Sequence, residues 1–199
     1  MLTLIHAPQS RSSSILWLLE EIGAPYEKRI VNIRRADGSG AVDPGNPHPH
    51  HKVPVLLDGE ERVIETGAIA LYLTDLFPEA ELGPKVGEAK RGEFLSWLAY
   101  RTGVLEPAMI ERRLGLQHIN GAMGWAAPDE VEALLNQHLE GRDYFLGDRL
   151  SAVDVMLGGA INFMLMFKMM TETPVFRAYC ARITGRPAYQ RMMALDAAP

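Results

Sequence analysis

The stretch Lys52-Val53-Pro54-Val55-Leu56-Leu57, followed after Asp58-Gly59-Glu60-Glu61 by Val63-Ile64-Glu65-Thr66-Gly67-Ala68-Ile69, constrains this chain more than any other. Proline lacks the N–H that a sheet ladder needs, so within sheets it stands at edges, first strand positions or bulges. It also pushes the residue before it into an extended conformation, and X-Pro is the one bond at which a cis peptide is readily tolerated. Val53 is therefore expected to be extended, with its backbone N–H and C=O open to an incoming extended chain. The acidic turn and second apolar run make a hairpin, and a helix is expected from Glu65-Thr66 onward. Its start offers unpaired N–H groups and the positive end of a dipole, which suit a carboxylate, while Glu65 suits an ammonium. Strand edge plus helix start read as a receptor for a short peptide with a zwitterionic end. The alternative is an ordinary hairpin leading into a capped helix.

Upstream, the apolar run Leu2 to Ile5 reads as a buried strand, broken by Ala7-Pro8-Gln9-Ser10-Arg11-Ser12. Ser12, Ser13 and Ser14 are cap candidates for a helix carrying Ile15, Leu16, Leu18, Leu19 and Ile22, which Gly23 closes. A strand over Tyr26 to Val31 completes a β-α-β unit, which implies parallel pairing through a right-handed crossover. Residues 34 to 51 are poor in apolar side chains and rich in Gly and Pro, so a long loop with room for one short helix is expected there. The helix from Glu65 runs to about Phe77, where Pro78 stops it.

Glu79 to Gly87 has the Pro, Gly, Glu and Lys content of an exposed connector. The expected organisation is a first domain over 1–78, a linker over 79–87 and an all-helical domain over 88–199. Helical periodicity recurs at 88–115, 128–141, 151–169, 173–184 and 187–195. Ser151 and Asp154 have the spacing of a capping box, each satisfying an orphan N–H of the other. Phe163, Met164, Met166, Phe167, Met169 and Met170 form a soft apolar patch, read as a core helix ahead of a pocket wall.

Composition narrows the function. A hydrophobic share of 47% and a charged share of 23% are those of a globular protein. A net charge of −5 and a pI near 5.7, with basic residues consecutive only as pairs, argue against a nucleic-acid partner. Cys180 is the one cysteine, which excludes an intramolecular disulfide and a CxxC redox centre and suggests a reducing compartment. Met1 to His6 lacks the basic and long apolar segments of a secretory leader, and the apolar region Val153 to Met170 is interrupted by Asp154, Gly158, Gly159, Asn162 and Lys168. A cytoplasmic setting without membrane attachment is expected. His48, His50 and His51 share one loop with no second Cys or His cluster to complete a shell, so no metal is expected.

The order of elements and several motifs together resemble the cytosolic glutathione S-transferase superfamily. They are Ser10-Arg11-Ser12 leading into Leu16-Trp17-Leu18-Leu19-Glu20-Glu21-Ile22-Gly23, the strand Lys52 to Leu56, Glu65-Thr66-Gly67-Ala68-Ile69-Ala70-Leu71-Tyr72-Leu73, and the Ser151 to Asp154 box after Tyr144-Phe145-Leu146-Gly147. The resemblance implies an α+β thioredoxin-like N-terminal domain of order βαβαββα, an all-α C-terminal domain, and assembly as a homodimer. It implies a cis Pro54, with Val53 pairing to the cysteinyl part of glutathione. Glu65 and Thr66 would hold the γ-glutamyl end, and Lys52 with His51 would lie near the glycyl carboxylate. The glutathione thiol must ionise, and a free thiol has a pKa of about 8.5. A hydroxyl at the start of the first helix stabilises the sulfur anion, so Ser10 and Ser12 are the activating candidates, with Arg11 adding a cation.

The chain has neither a tyrosine at the end of its first strand nor a cysteine in the first-helix loop, so it departs from the tyrosine and cysteine classes of the family. The link Asn46 to Lys52 is also longer than the family's usual Asn-Pro-x-Gly-Lys. Met109, Arg112, Arg113 and Trp125 are the candidates for an electrophile pocket, again by resemblance. The implied activity is conjugation of glutathione to a small hydrophobic electrophile. Alternatives are a glutathione-dependent isomerase, peroxidase or dehalogenase, or a non-catalytic interaction module.

Overall fold

The computed structural model describes residues 1–197. They form two compact units: Met1–Ala80 together with the segment that begins at Arg186, and Glu81–Gly185. In the first unit, β1 (Leu2–His6), β2 (Tyr26–Ile30), β3 (Val55–Asp58) and β4 (Glu61–Ile64) make one mixed sheet in the order β2-β1-β3-β4. β1 runs parallel to β2, with Leu2 opposite Tyr26, and antiparallel to β3, with Ile5 opposite Val55. β3 pairs antiparallel with β4, Val55 opposite Ile64. β1 is the strand whose adjacent Leu4 and Ile5, pointing to opposite faces of the sheet, are both fully enclosed, so both faces are covered there, in keeping with its apolar run. The edge strands carry Glu27, Lys28 and Arg29 on β2 and Glu61 and Arg62 on β4, charges that discourage further strand addition.

The β1-to-β2 crossover is α1 (Ser12–Ile22), whose Ile15, Leu16, Leu18 and Leu19 are buried. Gly23 ends it at φ 74°, its N–H bonded to the Leu19 carbonyl at 2.9 Å. After β4 comes α2 (Thr66–Leu76), which buries Ile69, Ala70 and Leu73. Ile5, Ala7, Val31, Val53 and Val55 form a core cluster at the end of the sheet from which the loops leave.

Two expectations are corrected. Between β2 and β3 the described residues hold turns and no helix, so the order is β-α-β-β-β-α in place of βαβαββα; residues 31–54 have no apolar stripe for a helix to bury. Side chains hold this segment instead. The Asp43 carboxylate accepts the N–H groups of Asn32 (3.1 Å) and Gly45 (2.8 Å). The segment from Arg186, grouped by sequence with the helical domain, packs in the first unit. There α8 (Pro187–Ala197) lies against α1: Tyr189 sits edge-on to Trp17 with ring centroids 4.9 Å apart, and Arg186 and Arg191 pair with Glu21 (2.7 Å) and Glu20 (2.8 Å).

The second unit is helical throughout its regular elements. α3 (Arg91–Tyr100) continues through the π-helical turn Arg101–Leu105 into α4 (Glu106–Leu114). α5 (Pro128–Leu139), the π-helical turn Asp154–Gly158 with α6 (Gly159–Met166), and α7 (Pro174–Thr184) follow. Phe94, Met109, Leu135, Phe145, Phe176 and Tyr179 are among its buried side chains. The Asp154 carboxylate is their polar centre: Oδ1 accepts Phe145 N–H (2.8 Å) and Tyr179 O–H (2.9 Å), Oδ2 accepts Ser151 N–H and O–H (both 2.8 Å). The reciprocal box is thus only half made, because the Ser151 hydroxyl donates to the carboxylate and takes no N–H. Of the Met and Phe patch, Met164 and Met170 are buried while Phe163, Met166 and Phe167 are exposed.

Candidate functional site

Two loop ends of the first unit gather the predicted residues. At the start of α1, Ser10 is half-exposed and Ser12 is fully buried. Ser10 Oγ donates to the Ala7 carbonyl at 2.7 Å, accepts the Ser12 N–H at 3.2 Å and lies 2.8 Å from Ser12 Oγ. Ser10 therefore does the work of a cap, taking up one of the orphan N–H groups of the first turn. Ser12 Oγ points inward, where it accepts the Ala7 N–H (3.2 Å) and lies 2.7 Å from His6 Nδ1. Arg11 is exposed between them at the helix N-cap.

His6, buried at the end of β1, was missed by sequence reasoning. Its Nε2 lies 3.1 Å from Asp196 Oδ1 on α8, though the N–H direction misses the oxygen, so the approach is electrostatic and not an aligned hydrogen bond. Asp196 also accepts the Ser13 hydroxyl (2.7 Å) and the Gln9 N–H (3.0 Å). Burial works to raise the Asp196 pKa, but His6 and these two donors prevail and hold it below the usual carboxylate range.

At the second end, the Val53–Pro54 peptide is cis and both residues are buried, while the β3 ladder begins only at Val55. Asn46, also missed, braces the approach: its Oδ1 accepts His48 N–H and its Nδ2 donates to the Lys52 carbonyl, each at 3.0 Å. His51 and Lys52 are exposed beside Val53, with His51 at φ 51°. His48 is buried and its Nδ1 accepts the His50 N–H at 3.0 Å. Burial pushes its pKa down, against the pull of the nearby Glu65 carboxylate.

Glu65 and Thr66 open α2. Glu65 is exposed and sits at φ 69°, ψ 126°, a region that a side chain rarely adopts and that costs about 1–3 kcal/mol. Such strain persists only where the surroundings impose it, and it turns the carboxylate outward at the helix start. The first helical bond is Ile69 N–H to the Glu65 carbonyl, so the preceding turn's N–H groups are the ones left for a ligand. Thr66 Oγ1 is buried with no hydrogen-bond partner among the described residues. A buried hydroxyl without a partner is costly unless something fills its place, and at a helix N-terminus the group that fits is a carboxylate.

The candidates for an electrophile site lie in the second unit. Met109 has no exposed surface, so it packs in the core and leaves the candidate set. Arg112 is engaged by Asp129 (2.7 Å) and by Glu132, which constrains its guanidinium. Arg113 is exposed, and Trp125 is half-exposed with its Nε1 donating to the buried Glu111 at 2.9 Å. Among the described residues, no group of three His, Cys, Asp or Glu side chains is arranged to hold a metal, and no helix is long and apolar enough to cross a membrane.

A cis X-Pro before a strand, a parallel β-α-β unit and an open helix start on one sheet are the features of a thioredoxin-like domain. Residues 1–75 match the family described as glutathione S-transferase, N-terminal domain. Glutathione S-transferase 3 of Schizosaccharomyces pombe is 25% identical over 172 residues, 77% of this chain and 70% of the relative. A probable maleylacetoacetate isomerase of Vibrio cholerae is 27% identical over 180 residues, 82% and 81% of the two chains. The structure of a sphingomonad glutathione S-transferase complexed with glutathione aligns at a TM-score of 0.77 and 27% identity, covering 99% of this chain and 100% of that one. Residues 1–75 thus carry the glutathione S-transferase N-terminal domain, and the chain as a whole is similar to glutathione S-transferases in sequence and in fold.

Proposed function

We propose that this protein is a glutathione transferase that joins the glutathione thiolate to a small hydrophobic electrophile. The observation that carries the reading is the orphaned, buried Thr66 hydroxyl beside the strained Glu65 at the start of α2. A carboxylate there supplies the missing acceptor and meets the helix dipole, while Glu65 takes the ammonium of the same γ-glutamyl group. The Val53 backbone then pairs with the cysteinyl residue, and Lys52 with His51 attracts the glycyl carboxylate. Ser10 serves the sulfur, since it is half-exposed whereas Ser12 is enclosed. Its hydroxyl donates to the thiolate and lowers the thiol pKa, and Arg11 adds positive potential at the same helix start. The sulfur then attacks carbon, forming a C–S bond as the leaving group departs. Arg113 and Trp125 remain candidates to meet the electrophile. Homodimer assembly and a cytoplasmic setting belong to the same reading.

The test is calorimetry with glutathione followed by turnover. Binding is expected, and so is consumption of one thiol per product with chloroaromatic or epoxide substrates. Ser10→Ala is expected to raise the bound thiol pKa toward the free value of about 8.5. Absence of binding overturns the reading. The Vibrio cholerae relative favours a second one, a glutathione-dependent isomerase. Turnover that regenerates all the glutathione supports it.

A further inference from the structure

Below the two serines lies a continuous polar line that conjugation chemistry does not by itself require. It runs from half-exposed Ser10 Oγ to Ser12 Oγ (2.8 Å), from Ser12 Oγ to His6 Nδ1 (2.7 Å), and from His6 Nε2 to Asp196 Oδ1 (3.1 Å). Ser12 and His6 are fully buried, so no bulk water competes along the line. Its members come from β1, the start of α1 and the last turn of α8, all in the first unit.

The partners of Asp196 determine which nitrogen of His6 carries hydrogen. Asp196 accepts from Ser13 and Gln9 and is ionised, so the His6 nitrogen that faces it, Nε2, is the one that carries hydrogen. Nδ1 is then an acceptor, and the Ser12 hydroxyl donates to it. With its proton so used, Ser12 Oγ is left to accept, from Ala7 N–H and from the Ser10 hydroxyl once that turns away from the Ala7 carbonyl. The Ser10 hydroxyl has two acceptors in reach, the Ala7 carbonyl (2.7 Å) and Ser12 Oγ (2.8 Å), and when it turns to the second every donor on the line points inward, away from the ligand. In that orientation Ser10 presents a lone pair outward, suited to accept from a thiol S–H.

We propose that His6, held by Asp196, is the proton acceptor of this relay and a positioning residue for Ser10. The proposal rests on the reading of Ser10 given above. On loading, the thiol proton passes to Ser10 Oγ as Ser10 passes its own to Ser12 and Ser12 passes its own to His6 Nδ1. One S–H bond breaks and one N–H bond forms, the two serines end unchanged, and no further reactant takes part. The products are a thiolate that accepts a hydrogen bond from Ser10 and an imidazolium that faces the Asp196 carboxylate. Among the described residues Asp196 is the charged group within ion-pair distance of the ring. The residue just after β2 meets His6 through the backbone, Val31 N–H to the His6 carbonyl at 2.9 Å. The same transfer reverses the polarity of both serines, so proton removal and thiolate stabilisation become one event. It also explains why the Nε2 approach is close but not aligned: a charge on the ring needs proximity more than direction.

The test reads the ring and the sulfur separately. In the wild-type protein, nitrogen NMR of His6 is expected to show the Nε2–H tautomer without glutathione and a doubly protonated ring once glutathione binds as the thiolate. Titration of thiolate absorbance in Asp196→Asn and His6→Gln is expected to show a raised bound-thiol pKa. At a pH below the wild-type transition this is about a tenfold drop in the ionised fraction, while affinity measured where the thiol is protonated is unchanged. A ring that stays neutral while the thiolate is present overturns the proposal, with no variant needed. If Ser10→Ala raises the thiol pKa but neither relay variant does, His6 and Asp196 are structural ties and the transferase reading stands. If glutathione does not bind, or Ser10→Ala leaves the thiol pKa unchanged, the reading of Ser10 fails and the relay falls with it.

Discussion

Replacing Thr66 by Val separates folding from binding at the proposed γ-glutamyl site. The two side chains have nearly the same shape, and their helix propensities are close, so the substitution exchanges one hydroxyl for a methyl. In the free protein that hydroxyl is buried without a partner. An unsatisfied buried polar group costs about 1–3 kcal/mol, and replacing it by an apolar group of the same shape removes that cost. Thr66→Val is therefore expected to be as stable as the parent or more stable, by up to about 2 kcal/mol. In the proposed binding mode the hydroxyl meets a carboxylate, a bond worth about 1.5–3 kcal/mol. Glutathione affinity should then fall by about 10- to 150-fold. Urea unfolding of the free protein, with the slope checked for constancy, reads the first quantity and calorimetry the second. Thr66→Ser, which keeps the hydroxyl, should retain most of the affinity. A Thr66→Val protein that is less stable, or one that binds glutathione as the parent does, refutes the assignment.

Asp154→Asn should cost about 1–3 kcal/mol, because whichever oxygen becomes the amide leaves Phe145 N–H or Ser151 N–H facing another donor. Amide hydrogen exchange should speed up at the orphaned position, and unchanged protection at both excludes this hub. Burial pushes the Cys180 thiol pKa up to about 12, so almost none is thiolate at neutral pH. Alkylation by iodoacetamide in the folded protein should be far slower than in urea, and equal rates contradict the burial.

The parts of this protein legible in its sequence are those whose physics is local. A proline that cannot join a ladder marked Val53-Pro54, and an acidic residue with a threonine after an apolar run marked the start of α2. Gly23 and Pro78 closed their helices because only the backbone of each was needed to say so. The long connection was read less well: its lack of apolar side chains excluded a buried helix, yet an inserted short helix was allowed for. What holds it is Asp43 and Asn46 bonding to backbone a few residues away, and many asparagines and aspartates in loops look the same. His6 and Asp196 were illegible for a different reason. A histidine closing a strand and an aspartate near the end of a helix acquire meaning only when α8 lies against α1, a pairing of segments at opposite ends of the sequence. Met109 illustrates the converse: its position by resemblance suggested a pocket, and burial placed it in the core.

Because α8 is the last regular element and packs in the first unit, that unit is discontinuous along the chain. During synthesis, which proceeds from the N-terminus, the sheet and its two helices emerge early but lack the helix that covers Trp17 and carries Asp196. The helical unit must be made before this piece arrives. A nascent chain of the first 80 residues thus has an open flank on α1 and lacks the carboxylate that faces His6. The α1 flank is therefore covered, and Asp196 brought to His6, only after the whole of the second unit has been made.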